Sequence, residues 1–209
     1  MFRKRYLLQL LILLAIVLLA SGCEKDGHIR IINRTDYPVY AGAFGVLHTL
    51  PGNSDLKIFV RTGRQSPFDS NVGTYVTLDL VGETYQIWDA YLERYVDSTY
   101  VWVNAGKTTN VFVNANRACI KVVNNSQWWI KKIFIQTHTP SGITTKEHSV
   151  YLAPGEDWFL QQNPSTATFT YAYIVQVMFE NDTVLTYGNN QNYLYLGDRF
   201  LVDVQHPVK

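Results

Sequence analysis

The chain has 209 residues, 47% of them hydrophobic and 14% aromatic, and a formal net charge of +1 at pH 7. Because it is so nearly neutral, it offers no basic surface for nucleic acid, and that class of partner is excluded. The sequence contains no Gly-x-Ser-x-Gly, His-Glu-x-x-His or Cys-x-x-Cys motif and no Gly-rich phosphate loop, and its five histidines are scattered singly. We therefore predict no enzyme, no bound metal and no cofactor.

The N-terminal segment carries three cations at positions 3 to 5, an apolar stretch from Leu7 to Ala20, and then Ser21 and Gly22. A basic, apolar and then small-residue order is typical of a secretory signal helix. Fourteen helical residues reach about 21 Å, well short of the ~30 Å hydrocarbon layer of a bilayer. The sequence therefore predicts that residues 1–22 are a cleaved signal peptide rather than a membrane span.

The end of this signal, Leu19-Ala20-Ser21-Gly22-Cys23, resembles the lipobox of bacterial lipoproteins, with Ala20 where the family usually has leucine. The resemblance implies that Cys23 becomes an acylated N-terminus, that residues 23–28 form a lipidated tether, and that the chain is anchored in membrane lipid of the outer membrane. The alternative is a plain secretory signal with an incidental cysteine. With Cys23 acylated, Cys119 is the only thiol left, and it cannot form an intramolecular disulfide.

An internal repeat organises the rest of the chain. The segment Ile29-Arg30-Ile31-Ile32-Asn33-Arg34-Thr35 is matched by Ile120-Lys121-Val122-Val123-Asn124-Asn125-Ser126, at an offset of 91 residues. Further landmarks follow in the same order: Leu50-Pro51-Gly52 with Leu152-Ala153-Pro154-Gly155, and Tyr100-Val101-Trp102-Val103 with Tyr193-Leu194-Tyr195-Leu196. We therefore predict a duplicated domain, with copies at residues 29–116 and 117–209.

Short runs of alternating apolar residues, rich in Val, Ile, Tyr, Phe and Thr, predict strands in both copies. In the first copy they lie near 29–33, 37–45, 56–61, 74–81, 84–90, 99–104 and 108–114. In the second they lie near 119–124, 128–137, 157–161, 170–180, 183–187, 192–196 and 199–204. Seven strands in roughly 90 residues is the size of an immunoglobulin-like domain. The predicted fold is therefore all-β: two tandem seven-stranded antiparallel β-sandwiches after the signal helix.

Two hairpins can be aligned between the copies. A two-residue loop at Gly82 and Glu83 would place Leu80 opposite Tyr85, and a loop at Asn181 and Asp182 would place Phe179 opposite Val184. The linker at residues 114–118 is too short to be a free tether, so we expect the domains to share a buried contact.

Aromatic residues on the face away from the core are the candidate ligand-binding residues. Because side chains alternate along a strand, Tyr100 and Trp102 must point away from Val101 and Val103, and Tyr193 and Tyr195 repeat this pattern. The proposed hairpin places Trp88 beside Thr77, with Asp79 and Gln86 next along it. The full set is Asp79, Gln86, Trp88, Tyr100, Trp102, Tyr193 and Tyr195.

Rings beside amide and carboxylate groups suit sugar recognition, in which a ring stacks on a pyranose face. This favours a lipid-anchored cell-envelope protein that binds a glycan or a protein partner. In the alternative, the same rings are buried between domains or against another subunit, and the chain is a structural or assembly component of a surface complex. A hydrolase is the least favoured class. The segments Asn33-Arg34-Thr35 and Asn124-Asn125-Ser126 are predicted to be turns in which short polar side chains bond nearby backbone.

Overall fold

The structure is a computed structural model, and it describes residues 26–63 and 72–205. The predicted signal helix and Cys23 lie outside the described residues. Within those ranges no helix has the length and apolar character needed to cross a bilayer. The described strands are β1 (Gly27–Asn33), β2 (Val39–Ala43), β3 (Val46–Leu50), β4 (Asp55–Val60), β5 (Gly73–Gly82), β6 (Ile87–Asp89), β7 (Arg94–Val96), β8 (Ser98–Asn104), β9 (Thr108–Val113), β10 (Ala118–Asn124), β11 (Ile130–Thr139), β12 (Gly142–Leu152), β13 (Asp157–Gln162), β14 (Ala172–Phe179), β15 (Val184–Tyr193) and β16 (Arg199–Val204).

The strand order is repeated along the chain. In the first unit, β1 to β9, a three-stranded sheet has the order β4-β1-β9 and a four-stranded sheet has the order β3-β2-β5-β8. In the second unit, β10 to β16, the corresponding orders are β13-β10-β16 and β12-β11-β14-β15. The first unit adds a small hairpin of β6 and β7. Each unit thus has seven strands in its two sheets, and the predicted all-β fold is confirmed.

The predicted antiparallel pairing is wrong at one place in each unit. Strand β1 pairs with β9 in parallel, and β10 pairs with β16 in parallel, whereas the other pairings are antiparallel. The reason is topological, because the last strand of each unit returns to lie beside the first and runs in the same direction.

Alternating burial explains how the sheets pack. Along β5 the side chains of Val76, Leu78 and Leu80 are buried, while those of Tyr75, Thr77 and Asp79 are exposed. Both sheets of each unit contribute to one hydrophobic cluster, so each unit is a sandwich. Burying a Val, Leu or Ile side chain contributes roughly 1.5–3 kcal/mol, so these clusters supply the main stabilisation of a chain whose one described cysteine is unpaired.

The sequence pattern missed one edge strand of each four-stranded sheet, β3 in the first unit and β12 in the second. Strands β3 and β12 are mostly exposed, so their residues lack the alternation that indicates a half-buried strand. Two further predictions are wrong in detail. The strand near 84–90 shortens to β6, which pairs with β7 instead of β5, and residues 192–196 are the end of β15 and the turn after it.

Both predicted hairpin registers are wrong. Asp79 pairs with Ser98 of β8, and the β5 strand ends in a turn in which Val81 bridges Gln86, so Leu80 does not face Tyr85. In the second unit Met178 pairs with Val184, one position away from the predicted Phe179. The loop there has three residues, with Asp182 at φ 64° and the Phe179 amide donating to the Thr183 carbonyl. The extra residue in the left-handed region shifts the register by one.

The predicted buried contact between the units is confirmed, and it is built around Glu83. This side chain is fully buried. Its carboxylate accepts hydrogen bonds from Lys121 Nζ and Arg199 Nη1 of the second unit, each at 2.9 Å. Burial alone would lower the pKa of Lys121, but its hydrogen bonds to Glu83 and Asp157 outweigh burial and raise it. Stacked rings of Tyr40 and Phe159, with centroids 5.9 Å apart, extend the contact.

Cys119 is buried in β10, two residues before Lys121. Burial, with a further contribution from Glu83, raises the pKa of its thiol to about 12, against about 8.5 in an unfolded chain. Above the unfolded value, the unfolded chain loses a proton that the folded chain keeps. The free energy of unfolding should therefore fall by about 1.4 kcal/mol for each pH unit beyond about 9.

This pH dependence can be measured by urea unfolding between pH 7 and 9, a range in which tyrosines, whose ordinary pKa is about 10, stay largely protonated. We expect stability to be flat below about pH 8 and then to fall. In Cys119→Ala the fall over this range should be absent, and an unchanged pH profile in the variant would contradict the assignment.

Candidate functional site: the aromatic face of the first unit

The outer surface of the sheet β3-β2-β5-β8 carries a cluster of exposed apolar side chains. Cross-strand pairing places Tyr75 opposite Trp102, Thr77 opposite Tyr100, and both Leu47 and Asp79 opposite Gly42. The exposed fractions are 68% for Tyr75, 75% for Tyr100, 39% for Trp102 and 70% for Leu47. We call this set, together with Phe44 at the β2–β3 turn, the aromatic face.

The outward orientation predicted for Tyr100 and Trp102 is confirmed. Val103 is buried in the core, and Val101 packs against the same core. Because side chains alternate along the strand, the rings of Tyr100 and Trp102 point outward. The Tyr75 and Trp102 rings meet edge to face, with centroids 4.8 Å apart, and Trp102 Nε1 donates to Asn104 Oδ1 at 3.0 Å. Aromatic pairs in this geometry contribute about 0.5–1.5 kcal/mol beyond their buried area, so the rings form a fixed surface.

Trp88 and Gln86 do not belong to this face in the way the sequence predicted. Trp88 lies on the β6–β7 hairpin, opposite Tyr95 rather than Thr77, and the two rings meet edge to face at 5.0 Å. The Gln86 amide donates to Asp97 Oδ1 at 2.9 Å. The prediction failed because β5 and β6 are not a regular hairpin.

The second unit does not repeat the aromatic face. Tyr193 ends β15 and Tyr195 lies in the following turn, with Leu194 buried between them, so their outward orientation holds. However, β14 is the strand that corresponds to β5, and its outward side chains are Ile174, Gln176 and Met178 where β5 has Tyr75, Thr77 and Asp79. Tyr187 packs against the core, opposite Val175. The second unit therefore keeps the outward tyrosines Tyr193 and Tyr195 but has no counterpart of the row that contains Tyr75.

Sequence reasoning missed Phe44 at the tip of the β2–β3 hairpin. Phe44 and Gly45 form a two-residue loop with φ values of 53° and 76°, which is the pattern of a type I′ turn. A phenylalanine is rare in this left-handed region, and the conformation costs about 1 kcal/mol or more. The turn holds a ring that is 64% exposed, so the strain is not repaid by burial.

Because Phe44 is strained and exposed, Phe44→Asn should raise the free energy of unfolding by about 0.5–1 kcal/mol. Asparagine tolerates the left-handed region and loses little packing there. Leu47→Asn is the matched control, since Leu47 is equally exposed but lies in an ordinary strand, and it should give no gain. Urea unfolding of the two variants against the unchanged protein measures both. A loss of stability in Phe44→Asn would show that the ring serves the fold.

An open depression of about 400 Å³ lies beside this hairpin. It is lined by Ala43, Phe44, Gly45, Tyr75, Val76, Thr77 and Asp79. Asp79 leans over Gly42, where an added Cβ would lie 3.1 Å from its Oδ2 atom. Its carboxylate makes no hydrogen bond or ion pair with any residue in the described ranges. In the described part of the chain, no group of three or more His, Cys, Asp or Glu side chains is placed to hold a metal ion.

Comparison with known proteins gives low-level structural likenesses. No protein-family model and no curated protein sequence matches the chain. The tip fimbrial protein Mfa3 from Porphyromonas gingivalis is 7% identical, with a TM-score of 0.33 over 88% of this chain and 96% of that one. The Bacillus anthracis TIE protein gives 7% identity and a TM-score of 0.29 over 87% of this chain, which spans only 34% of that one. A variant of the major pilin from Streptococcus pyogenes is 7% identical, with a TM-score of 0.23 over 88% of this chain and 98% of that one. Because these TM-scores are low, the function proposed below is inferred from this chain's own residues.

Proposed function

We propose that this chain is a lipid-anchored component of the bacterial cell envelope that docks a protein partner through its aromatic face. It acts as a binding and assembly component of a surface complex and not as an enzyme. The observation that carries this proposal is the character of the face, on which five large apolar side chains are exposed beside a single charged one. Those five are Phe44, Leu47, Tyr75, Tyr100 and Trp102.

Protein interfaces have this composition. Their centres are depleted of charged residues and enriched in Tyr, Trp and Phe, and an exposed apolar patch on a monomer commonly marks an interaction site. The aliphatic side chain of Leu47 and the scarcity of hydrogen-bonding groups favour a protein surface over a sugar. The contact between the two units, at Glu83 and Tyr40, lies toward one end of the same sheet surface, and it leaves Leu47, Tyr75 and Tyr100 exposed.

The anchor is Cys23, which the lipobox resemblance makes the acylated N-terminus. Strand β1 begins at Gly27, so the tether between lipid and fold spans only a few residues, at about 3.5 Å each. This holds the first unit, and with it the aromatic face, close to the bilayer. We infer further that the two units are the duplicated domains, divided between residues 116 and 117.

Site-specific crosslinking in the producing cell tests the docking surface. A photoreactive phenylalanine analogue is placed at Tyr100 or at Leu47, and at Tyr91 as the control. Tyr91 is 94% exposed but lies in the turn between β6 and β7. We expect the same discrete protein adduct from both positions of the aromatic face and none from Tyr91. Equal adducts from all three positions, or no adduct from the face, would refute the proposal.

A glycan is the second candidate ligand, and it is favoured by one observation. The rings of Tyr75 and Tyr100 stand beside the hydroxyl of Thr77 and the free carboxylate of Asp79. Calorimetry with neutral hexasaccharides of glucose, mannose and galactose separates the two functions. If a hexasaccharide binds, if both Tyr100→Ala and Trp102→Ala abolish that binding, and if the crosslinking experiment gives no protein adduct, the face is assigned to sugar.

A further inference from the structure

We propose that the depression beside the Phe44 hairpin is a socket for an arginine side chain presented by the docked protein partner. This inference rests on the proposed function and names the chemistry that the partner must bring. It goes beyond an apolar contact, because it assigns a defined ionic anchor to one position of the aromatic face.

Charge is the first argument. Strands β2, β3, β5 and β8 contain one Asp or Glu, which is Asp79, and no Lys or Arg. Its carboxylate has no hydrogen-bond or ion-pair partner among the described residues, although it stands within an apolar surface. Docking a purely apolar partner would bury this charge without compensation, which is strongly unfavourable. A partner that supplies a cation at this place removes that cost.

The rings are the second argument. Phe44 and Tyr75 line the depression together with Asp79, and both are largely exposed. A guanidinium stacks on aromatic rings and also forms bidentate hydrogen bonds to a carboxylate, so arginine suits this lining better than lysine. Arginine is also enriched among the residues that dominate protein–protein binding.

The space around Asp79 is the third argument. Gly42 is the cross-strand partner of Asp79, and any side chain there would press on the carboxylate, at 3.1 Å from Oδ2. On the rim, Phe44 keeps its exposed ring at φ 53° despite the conformational cost. The absence of a side chain at Gly42 therefore leaves the acid accessible, and the ring of Phe44 lies at the edge of the same depression.

The test uses N-acetyl-arginine methylamide and its neutral analogue N-acetyl-citrulline methylamide, titrated into the protein while backbone amide NMR signals of Phe44, Gly45 and Thr77 are followed. We expect the arginine probe to bind roughly fivefold more tightly than citrulline, the scale of one charge-assisted hydrogen bond at a partly exposed site. In Asp79→Asn the preference should vanish. The control Glu180→Gln, an exposed acid in the turn after β14, should keep it.

Asp79→Asn should fold normally, because the carboxylate supports no contact in the described structure, and an unchanged Tm confirms this. In the cell, Asp79→Arg should abolish the adduct formed from Tyr100. Equal binding of the two probes would overturn the socket, and the docking function would still stand if the unsubstituted face forms its adduct.

Two other outcomes would also overturn the socket. One is self-association of the purified chain that Asp79→Asn abolishes, which would assign the site to a second copy of the chain. The other is a shift of these amide signals by neutral hexasaccharides when the arginine probe causes none. Absence of any adduct from the unsubstituted face would instead refute the docking function.

Discussion

Replacing Glu83 with alanine should lower the free energy of unfolding by about 3 kcal/mol, since breaking a buried ion pair by removing one partner typically costs about 3–5 kcal/mol. The carboxylate is fully buried between the units, with Lys121 and Arg199 each at 2.9 Å. The two cations retain some exposure, with relative side-chain exposures of 16% and 25%, which places the expected cost at the lower end of the range.

A second variant separates charge from shape. Glu83→Gln keeps the size of the side chain but leaves Arg199 without an anion and Lys121 with the partly exposed Asp157 alone, so it should also be strongly destabilising. The matched control is Asp55→Asn, which breaks the exposed pair of Arg30 and Asp55 at 2.8 Å and should change the free energy of unfolding little. Urea unfolding followed by tryptophan fluorescence gives the comparison. Equal effects of Glu83→Gln and Asp55→Asn would mean that the buried cluster contributes no more than a surface pair.

The Glu83 cluster also shows where sequence reasoning reaches its limit. The short linker correctly predicted a buried contact between the units, but the sequence predicted only a two-residue loop at Glu83 and gave it no part in that contact. No local pattern links Glu83 to Lys121 and Arg199, which are 38 and 116 residues away. A long-range ion pair follows from how two units pack, and alternation along a strand carries no information about that.

The alternation of apolar and polar residues predicts which side of a strand faces the core. It correctly predicted the orientation of Tyr100 and Trp102, and it predicted strands that have one buried face, such as β5 and β10. It failed at β3, because an exposed edge strand has no buried face to mark it. Leu47 and Phe44 lie on and beside that strand, and these two of the five large apolar side chains of the aromatic face were therefore missed. The dipeptide Phe44-Gly45 between two apolar runs was the one local signal available, since glycine favours the turn of a hairpin.

The strongest match between sequence and structure is the repeated asparagine, and it leads to the second large prediction. The Nδ2 atom of Asn33 donates to the carbonyls of Tyr37, Leu50 and Pro51, and its Oδ1 accepts from the backbone and hydroxyl of Thr35. Asn124 makes the same kind of clamp, donating to the carbonyls of Trp128 and Leu152 and accepting from the backbone and hydroxyl of Ser126. Both side chains are buried. The predicted turns at these positions are therefore confirmed, and each ties the first strand connection of its unit to the end of the edge strand.

Asn124→Ala should lower the free energy of unfolding by about 3 kcal/mol, because it leaves several buried polar groups unpaired at about 1–3 kcal/mol each. Asn124→Asp should be as damaging despite its identical shape, since a carboxylate oxygen would then face the carbonyls of Trp128 and Leu152. Asn125→Ala is the control next along the chain, as Asn125 makes one exposed hydrogen bond, to Asp203 at 2.7 Å. The same substitutions at Asn33 should give matching losses in urea unfolding if the two units are copies with the same construction. A large loss at one asparagine and none at the other would show that the repeated motif has kept its sequence but not its structural role.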